Sequence, residues 1–233
     1  MFKDVYGVRY ELSPFQDEWV LTEMVDKHKT SVSIPASLDG IPVTTIKHRA
    51  FAGCKNLKRV EIGNNLNKIG ELAFLGCCYL EHVYASSAHQ NDSVQVGFRA
   101  FENCRSLISF KSKVSLIEEN AFRNCVNLEE CNISAECKEI CNYAFCDCVS
   151  LEKVFIESNP ISPIYIQEDA FFCTRIFELH CQRNIEFKSK NYIHSKAVEE
   201  FISEPTVIYC PSWSNLTEFS YLGRKVVIEE KCS

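Results

Sequence analysis

The amino-acid sequence predicts an α/β repeat fold: a right-handed solenoid with a parallel β-sheet on one face and short α or 3₁₀ turns on the opposite face. Two observations carry this prediction. An Ala-Phe pair, followed three residues after the Phe by Cys and six residues after it by Leu, recurs along the chain. Each copy leads directly into a short segment in which apolar and polar residues alternate.

The repeat is regular enough to define a unit length. Five copies are complete: Ala50-Phe51-Cys54-Leu57, Ala73-Phe74-Cys77-Leu80, Ala100-Phe101-Cys104-Leu107, Ala121-Phe122-Cys125-Leu128 and Ala144-Phe145-Cys148-Leu151. A sixth copy, Ala170-Phe171-Cys173-Ile176, is one residue shorter. The alanines are separated by 23, 27, 21, 23 and 26 residues, which is the length of one solenoid coil.

The segment that starts at the Leu of each copy alternates as a β-strand does. In every segment the fourth and sixth residues face one way, and the third and fifth residues face the other way. We therefore expect one strand per coil, stacked in parallel. The segments are LKRVEI (57–62), LEHVYA (80–85), LISFKS (107–112), LEECNI (128–133), LEKVFI (151–156) and IFELHC (176–181).

The segment before each strand has a different spacing. In IKHRAFAGC the apolar residues Ile46, Ala50 and Cys54 are four residues apart, so they share one face of a helix of one or two turns. The small Ala lets this turn approach the strand layer, and the Phe fills the interior. Because one coil cannot bury its apolar side alone, neighbouring coils must share a continuous core.

This pattern resembles the BspA-like class of leucine-rich repeats over about residues 30–181. The resemblance includes the stretch IPASLDGIPVTTIKHRAF, where Val32, Ile34 and Pro35 look like the strand of an initial coil. It implies a leucine-rich-repeat solenoid. It also implies a protein of the kind that microbes display on their surface for adhesion or for contact with a host.

We expect one domain over residues 1–233, with three parts. Residues 1–29 would form an N-terminal β-hairpin cap, residues 30–181 six to seven coils, and residues 182–233 a C-terminal cap. The C-terminal cap would contain a short amphipathic helix at 195–204, a strand at 206–211 and a last strand in KVVIEE. Two polar insertions, 86–93 and 157–165, should loop out of their coils.

Composition excludes several classes of function. The chain has 46% hydrophobic and 24% charged residues and a net charge of -6, and its charges are interspersed, so we expect no nucleic-acid partner. The sequence contains no run of about 18 apolar residues, so it does not predict membrane insertion. The N-terminus has no signal segment. As written, the chain would be a cytoplasmic monomer, or a secreted or cell-surface protein if it is a fragment.

The fourteen cysteines raise the alternatives of a zinc site, a disulfide, a nucleophile or a buried thiol. Five of them lie within CNISAECKEICNYAFCDC (131–148), yet each occupies a repeat position that is small or apolar in other coils. They therefore predict buried, reduced thiols, although neighbouring thiols about 4.8 Å apart along the solenoid would be within reach of a disulfide. Cys78, with His82 four residues on, is the best candidate for a thiol enzyme. We expect no metal, no cofactor and no catalysis.

The exposed face of the strands is the candidate binding site. Most of its residues are polar and of mixed charge, but Tyr84 and Phe155 are aromatic, and exposed aromatic residues are enriched at binding hot spots. They should lie three coils apart, roughly 14 to 15 Å. We expect a non-enzymatic module that holds a protein or peptide, with a glycan or host-surface ligand as the alternative. The candidate residues are Arg59, Glu61, His82, Tyr84, Lys111, Glu130, Lys153, Phe155 and His180.

Overall fold

The structure is a computed structural model. It describes residues 1–14, 17–85, 93–157, 159, 164–167 and 169–174 in full, and the backbone of five strands between residues 178 and 230. The helix expected at 195–204 and most of the two insertions lie outside the described residues.

The described chain is built from short strands. The first group is β1 (Phe2–Val5), β2 (Val8–Leu12), β3 (Trp19–Met24), β4 (Ser31–Ser33), β5 (Ser37–Leu38), β6 (Ile41–Ile46) and β7 (Arg59–Ile62). The middle group is β8 (Lys68–Ile69), β9 (His82–Ala85), β10 (Ser93–Val96), β11 (Ser109–Lys111), β12 (Lys113–Ile117), β13 (Glu130–Ile133) and β14 (Glu139–Ile140). The last group is β15 (Lys153–Ile156), β16 (Ile164–Gln167), β17 (Glu178–Cys181), β18 (Ile185–Lys188), β19 (Thr206–Cys210), β20 (Ser220–Tyr221) and β21 (Arg224–Glu230).

Two parallel ladders run along the solenoid. The first ladder consists of β4, β7, β9, β11, β13, β15, β17, β19 and β21. The second ladder consists of β6, β8, β10, β12, β14, β16 and β18. The expected parallel solenoid is therefore confirmed. The second ladder is an addition, because the sequence predicts only one strand per coil.

The N-terminus covers one end of the second ladder. Strands β1, β2 and β3 pair in antiparallel order, and β3 then pairs in parallel with β6. The cap is held by buried side chains, among them Tyr10, Trp19 and Leu21. The indole nitrogen of Trp19 donates a hydrogen bond to the carbonyl of Leu38 over 3.1 Å. The apolar side chains of the first coils are thereby shielded from water.

The third side of each coil is a stack of turns, which we call the turn wall (residues 47–56 and their equivalents). The expected α or 3₁₀ turns are not confirmed, because the described residues contain no helix. The amides of Ala50, Ala52 and Cys54 bond to carbonyls three residues earlier, at 3.0 to 3.2 Å. The alternate amides, those of Phe51 and Gly53, bond instead to the next coil at 2.8 Å. In an α-helix each amide bonds to a carbonyl four residues earlier in the same segment. Here every second amide bonds to the next coil instead, so the segment forms a stack of turns rather than a helix.

The interior is a stack of identical aromatic rings. Phe51, Phe74, Phe101, Phe122, Phe145 and Phe171 follow one another with ring centroids 4.7 to 5.3 Å apart and planes within 5° of parallel. Phe110 meets two of these rings edge-on, at 5.4 Å each. The core is therefore continuous from coil to coil, as a solenoid requires.

Candidate binding face on the first ladder

The first ladder turns alternate residues outward. In β7, β9, β13 and β15 the inward residues include Val60, Val83, Cys131 and Val154, all of which are fully buried. Their neighbours along each strand point away from the core and are exposed or half-buried. We call this outer surface the sheet face.

The outward residues form two columns because the strands pair in register. The first column is Ser31, Arg59, His82, Ser109, Glu130 and Lys153, each opposite the next. The second column has two parts: Ser33, Glu61, Tyr84 and Lys111, and then Asn132 and Phe155. Between the two parts the pairing is interrupted, since β11 meets β13 only through Ser109 and Glu130.

Eight of the nine candidate residues lie on this face with described side chains. Arg59, Tyr84, Lys111 and Lys153 are exposed. Glu61, His82, Glu130 and Phe155 are half-buried. The ninth, His180, lies in β17 in register with Phe155, and its side chain is outside the described residues.

Hydrogen bonds tie some of these side chains to the next coil. The Nδ1 atom of His82 lies 2.9 Å from the Oγ atom of Ser109. Ser33 donates to a carboxylate oxygen of Glu61 over 2.8 Å. These contacts between coils restrict side chains that would otherwise be free to rotate, so part of the face is ordered.

A third column of residues borders the face, and sequence reasoning missed it. These residues stand immediately before the strands and are linked by backbone hydrogen bonds of 2.8 to 3.2 Å from each coil to the previous one. Four of the six carry a charge. The position was detectable, because five of the six residues follow the Leu of the repeat directly. The column, which we call the flanking column, is Thr30, Lys58, Glu81, Ile108, Glu129 and Glu152.

The cysteines of the repeat point inward and act as hydrogen-bond donors. The thiols of Cys77, Cys104, Cys125 and Cys148 each donate to the carbonyl of the Phe in the preceding coil, at 3.0 to 3.2 Å. Burial raises the pKa of the Cys77 thiol to about 12 and holds the pKa of Cys104 well above its usual range. Raised pKa values favour the protonated thiol, which is the form that donates these hydrogen bonds.

The structure also describes Cys78 and the dense cysteine cluster, the positions of the thiol-enzyme and metal-site alternatives. Cys78 is half-buried. Within the described residues the ring of His82 is hydrogen bonded to Ser109. In the dense cysteine cluster, Cys131, Cys137 and Cys148 are fully buried. Across the described residues, no group of three or more His, Cys, Asp or Glu side chains is arranged to hold a metal ion.

Repeating coils, two parallel ladders and an inward Leu and Phe per coil define a leucine-rich-repeat solenoid. The family is settled by sequence comparison: six copies of the BspA type leucine-rich repeat region match residues 27–107 and 86–199. The chain therefore belongs to the BspA type leucine-rich-repeat family. A comparison with curated proteins gave no match.

Solved structures share the fold. A leucine-rich cell surface protein from Faecalibacterium prausnitzii is 24% identical with a TM-score of 0.67; the match covers 84% of this chain and 57% of that one. The T. pallidum leucine-rich-repeat protein is 27% identical with a TM-score of 0.63, and the match covers 79% of this chain and 85% of that one. Among the residues that the structure describes, no helix is long and apolar enough to cross a membrane.

Proposed function

We propose that the protein is a non-catalytic interaction module that binds a protein or peptide on the sheet face. The observation that carries this proposal is the presence of two aromatic residues, Tyr84 and Phe155, among charged residues of both signs on an ordered sheet. Leucine-rich-repeat families commonly bind proteins, and the extended surface of a solenoid suits many modest contacts.

The two aromatic residues differ from other exposed apolar residues in their position. Tyr84 is 37% exposed and stands between Glu61 and Lys111 in its column. Phe155 is half-buried and in register with Asn132. Each ring is therefore flanked by polar groups, which is the arrangement of hot spots surrounded by a polar rim.

The test compares two double variants in capture experiments with the native protein as bait. Tyr84→Ala with Phe155→Ala should leave the melting temperature nearly unchanged and lower the affinity for a captured partner by about tenfold or more. The control is Tyr79→Ala with Val149→Ala, which removes two residues that are 57% and 42% exposed on the turn wall. Equal capture by both variants would move the binding site away from the sheet face.

The alternative proposal is an adhesin-like role at a microbial surface, with a host ligand or glycan on the same face. It draws on the resemblance to surface-displayed proteins and on a protein of the same fold that is described as a cell surface protein. Antibody labelling of intact and permeabilised source cells tests it. Labelling that requires permeabilisation would contradict surface display.

A further inference from the structure

We propose that one partner of the sheet face is a second copy of this chain, docked face to face with the two solenoid axes antiparallel. The two-fold axis would run along the strands, midway between β9 and β11. This inference rests on the proposed function, because it uses the same face. The observation behind it is that the basic pair Lys58 and Arg59 and the acidic pair Glu129 and Glu130 lie at equal distances from this axis on opposite sides.

The symmetry fixes which residues meet. Rotation about an axis parallel to the strands reverses the order of the coils but keeps each position along a strand. Strand β7 of one copy therefore lies opposite β13 of the other, β9 opposite β11, and β4 opposite β15. Each residue then meets the residue at the same position of the opposing strand.

The strongest complementarity is between β7 and β13. Lys58 in the flanking column meets Glu129, and Arg59 in the first column meets Glu130. By symmetry each pair occurs twice, so the interface contains four ion pairs. Arg59 and Glu129 are exposed, and no ion pair within the described chain involves Arg59, Glu129 or Glu130.

One competing contact exists within the chain. The ammonium group of Lys58 lies 3.5 Å from a carboxylate oxygen of Glu81, and their side chains are 52% and 37% exposed. An exposed pair of this kind contributes little to stability. Lys58 can therefore exchange this contact for Glu129 of the second copy at little cost.

The centre and the ends of the interface agree with this arrangement. At the centre the Tyr84 ring meets the Lys111 ammonium group, a favourable cation–π combination. No like charges meet at any of the nine positions. The other positions are Glu61 with Asn132, Glu81 with Ile108, His82 with Ser109, Thr30 with Glu152, Ser31 with Lys153 and Ser33 with Phe155.

Neighbouring alignments of two antiparallel copies fit less well. An axis through β9 places Glu81 opposite Glu81 of the second copy. An axis through β11 places Arg59 opposite Lys153 and Lys111 opposite Lys111. The described part of the face spans about 24 Å, or five strand spacings of about 4.8 Å. An interface of this size is small, so the dimer should be weak and sensitive to salt.

The test is sedimentation equilibrium of the full chain over a range of concentrations. We expect a monomer–dimer equilibrium at about 20 mM salt whose dissociation constant rises about tenfold or more at about 500 mM salt. The variant Lys58→Glu with Arg59→Glu should remain a monomer, and so should Glu129→Lys with Glu130→Lys, because each faces like charges. An equimolar mixture of these two variants should form a heterodimer, since all four ion pairs are then restored.

The matched control is Lys55→Glu with Arg105→Glu, the same change of charge on the turn wall, which should dimerise like the original protein. Circular dichroism checks that every variant is folded, as expected for exposed positions. A monomer at all concentrations in low salt, or a mixture that fails to associate, would overturn the inference. Either result leaves the proposed function standing, because capture of another protein through Tyr84 and Phe155 is measured separately.

Discussion

The interior of the solenoid and its sheet face have the same spacing from coil to coil, but the residue types repeat in the interior and vary on the sheet face. Inside, the Phe rings stack on their own copies at 4.7 to 5.3 Å, and four Cys thiols repeat one hydrogen bond. Outside, the first column changes from Arg59 to His82 to Ser109. Repetition is therefore required where a side chain packs on its own copy, and variation is tolerated where it faces solvent.

The turn wall lies between the interior and the sheet face in how strictly its residue types repeat. Its second left-handed position is Gly53, Gly76, Asn103, Asn124, Asp147 and Cys173 in successive coils, with φ between 56° and 69°. Residue identity varies here, but the first five are of the types that adopt this backbone most readily, and Cys173 is the exception. The side chains of Asn103 and Asn124 are hydrogen bonded to each other over 2.6 Å. Backbone geometry, rather than packing, limits the choice.

Alkaline pH should distinguish the interior from the face most strongly. Buried thiols such as Cys77, Cys104 and Cys125 have raised pKa values, whereas in the unfolded chain a thiol loses its proton near pH 9. Above that pH the unfolded state binds fewer protons, so the free energy of unfolding falls, by about 1.4 kcal/mol per thiol and pH unit. Below it the contribution is fully present. For Cys77 the loss continues up to about pH 12.

Urea denaturation in the presence of a reductant, repeated at intervals from about pH 8 to about pH 10, measures this loss. The variant Cys104→Ala supplies the control, because removing one buried thiol should make the decline with pH shallower. Stability that is constant across this range would show that the thiols ionise as readily in the folded protein as in the unfolded chain.

The next largest effect concerns two phenylalanines on opposite sides of the first ladder. Phe122→Ala should lower the free energy of unfolding by about 3 to 5 kcal/mol, because its ring stacks on both Phe101 and Phe145 and meets Phe110 edge-on. Phe155→Ala, on the half-buried sheet face, should cost less than about 1 kcal/mol. Chemical denaturation of both variants gives the comparison, and similar losses would contradict the assigned register.

The first ladder was predictable because its strands are long enough to alternate. The segment 57–62 shows the period, and β7 occupies Arg59–Ile62. The second ladder does not repeat as regularly: its strands range from two residues in β8 and β14 to six in β6, and two residues are too few to show a period. The helical turns predicted for the turn wall were not confirmed for another reason. A spacing of four residues between Ile46, Ala50 and Cys54 fits both a helix and a stack of turns, and bonds to the next coil decide between them.

For the sheet face, the outward positions followed from the same alternation. The effect of one coil on the burial and contacts of residues in the next could not be predicted from the sequence. The burial of Ser109 to 8% exposure and its contact with His82 depend on the neighbouring coil. The interruption beside Lys111 depends on the shortest coil, in which β12 begins only two residues later. The complementarity of Lys58 with Glu129 becomes visible only when all coils are in register.

The smallest expected effects separate two kinds of glycine. At Gly63 an added Cβ would lie 2.5 Å from the amide nitrogen of Ala36 and 2.6 Å from the carbonyl carbon of Pro35, so Gly63→Ala should cost about 1 to 3 kcal/mol through overpacking. At Gly53 no atom lies within 4 Å of such a Cβ, and φ is +67°. Because Asn103 and Asn124 adopt the same conformation, Gly53→Asn should change the free energy of unfolding by less than about 0.5 kcal/mol. Thermal denaturation of the two variants tests the difference. A large loss in Gly53→Asn would show that this position is limited by packing, as the interior is, and not by its backbone angle.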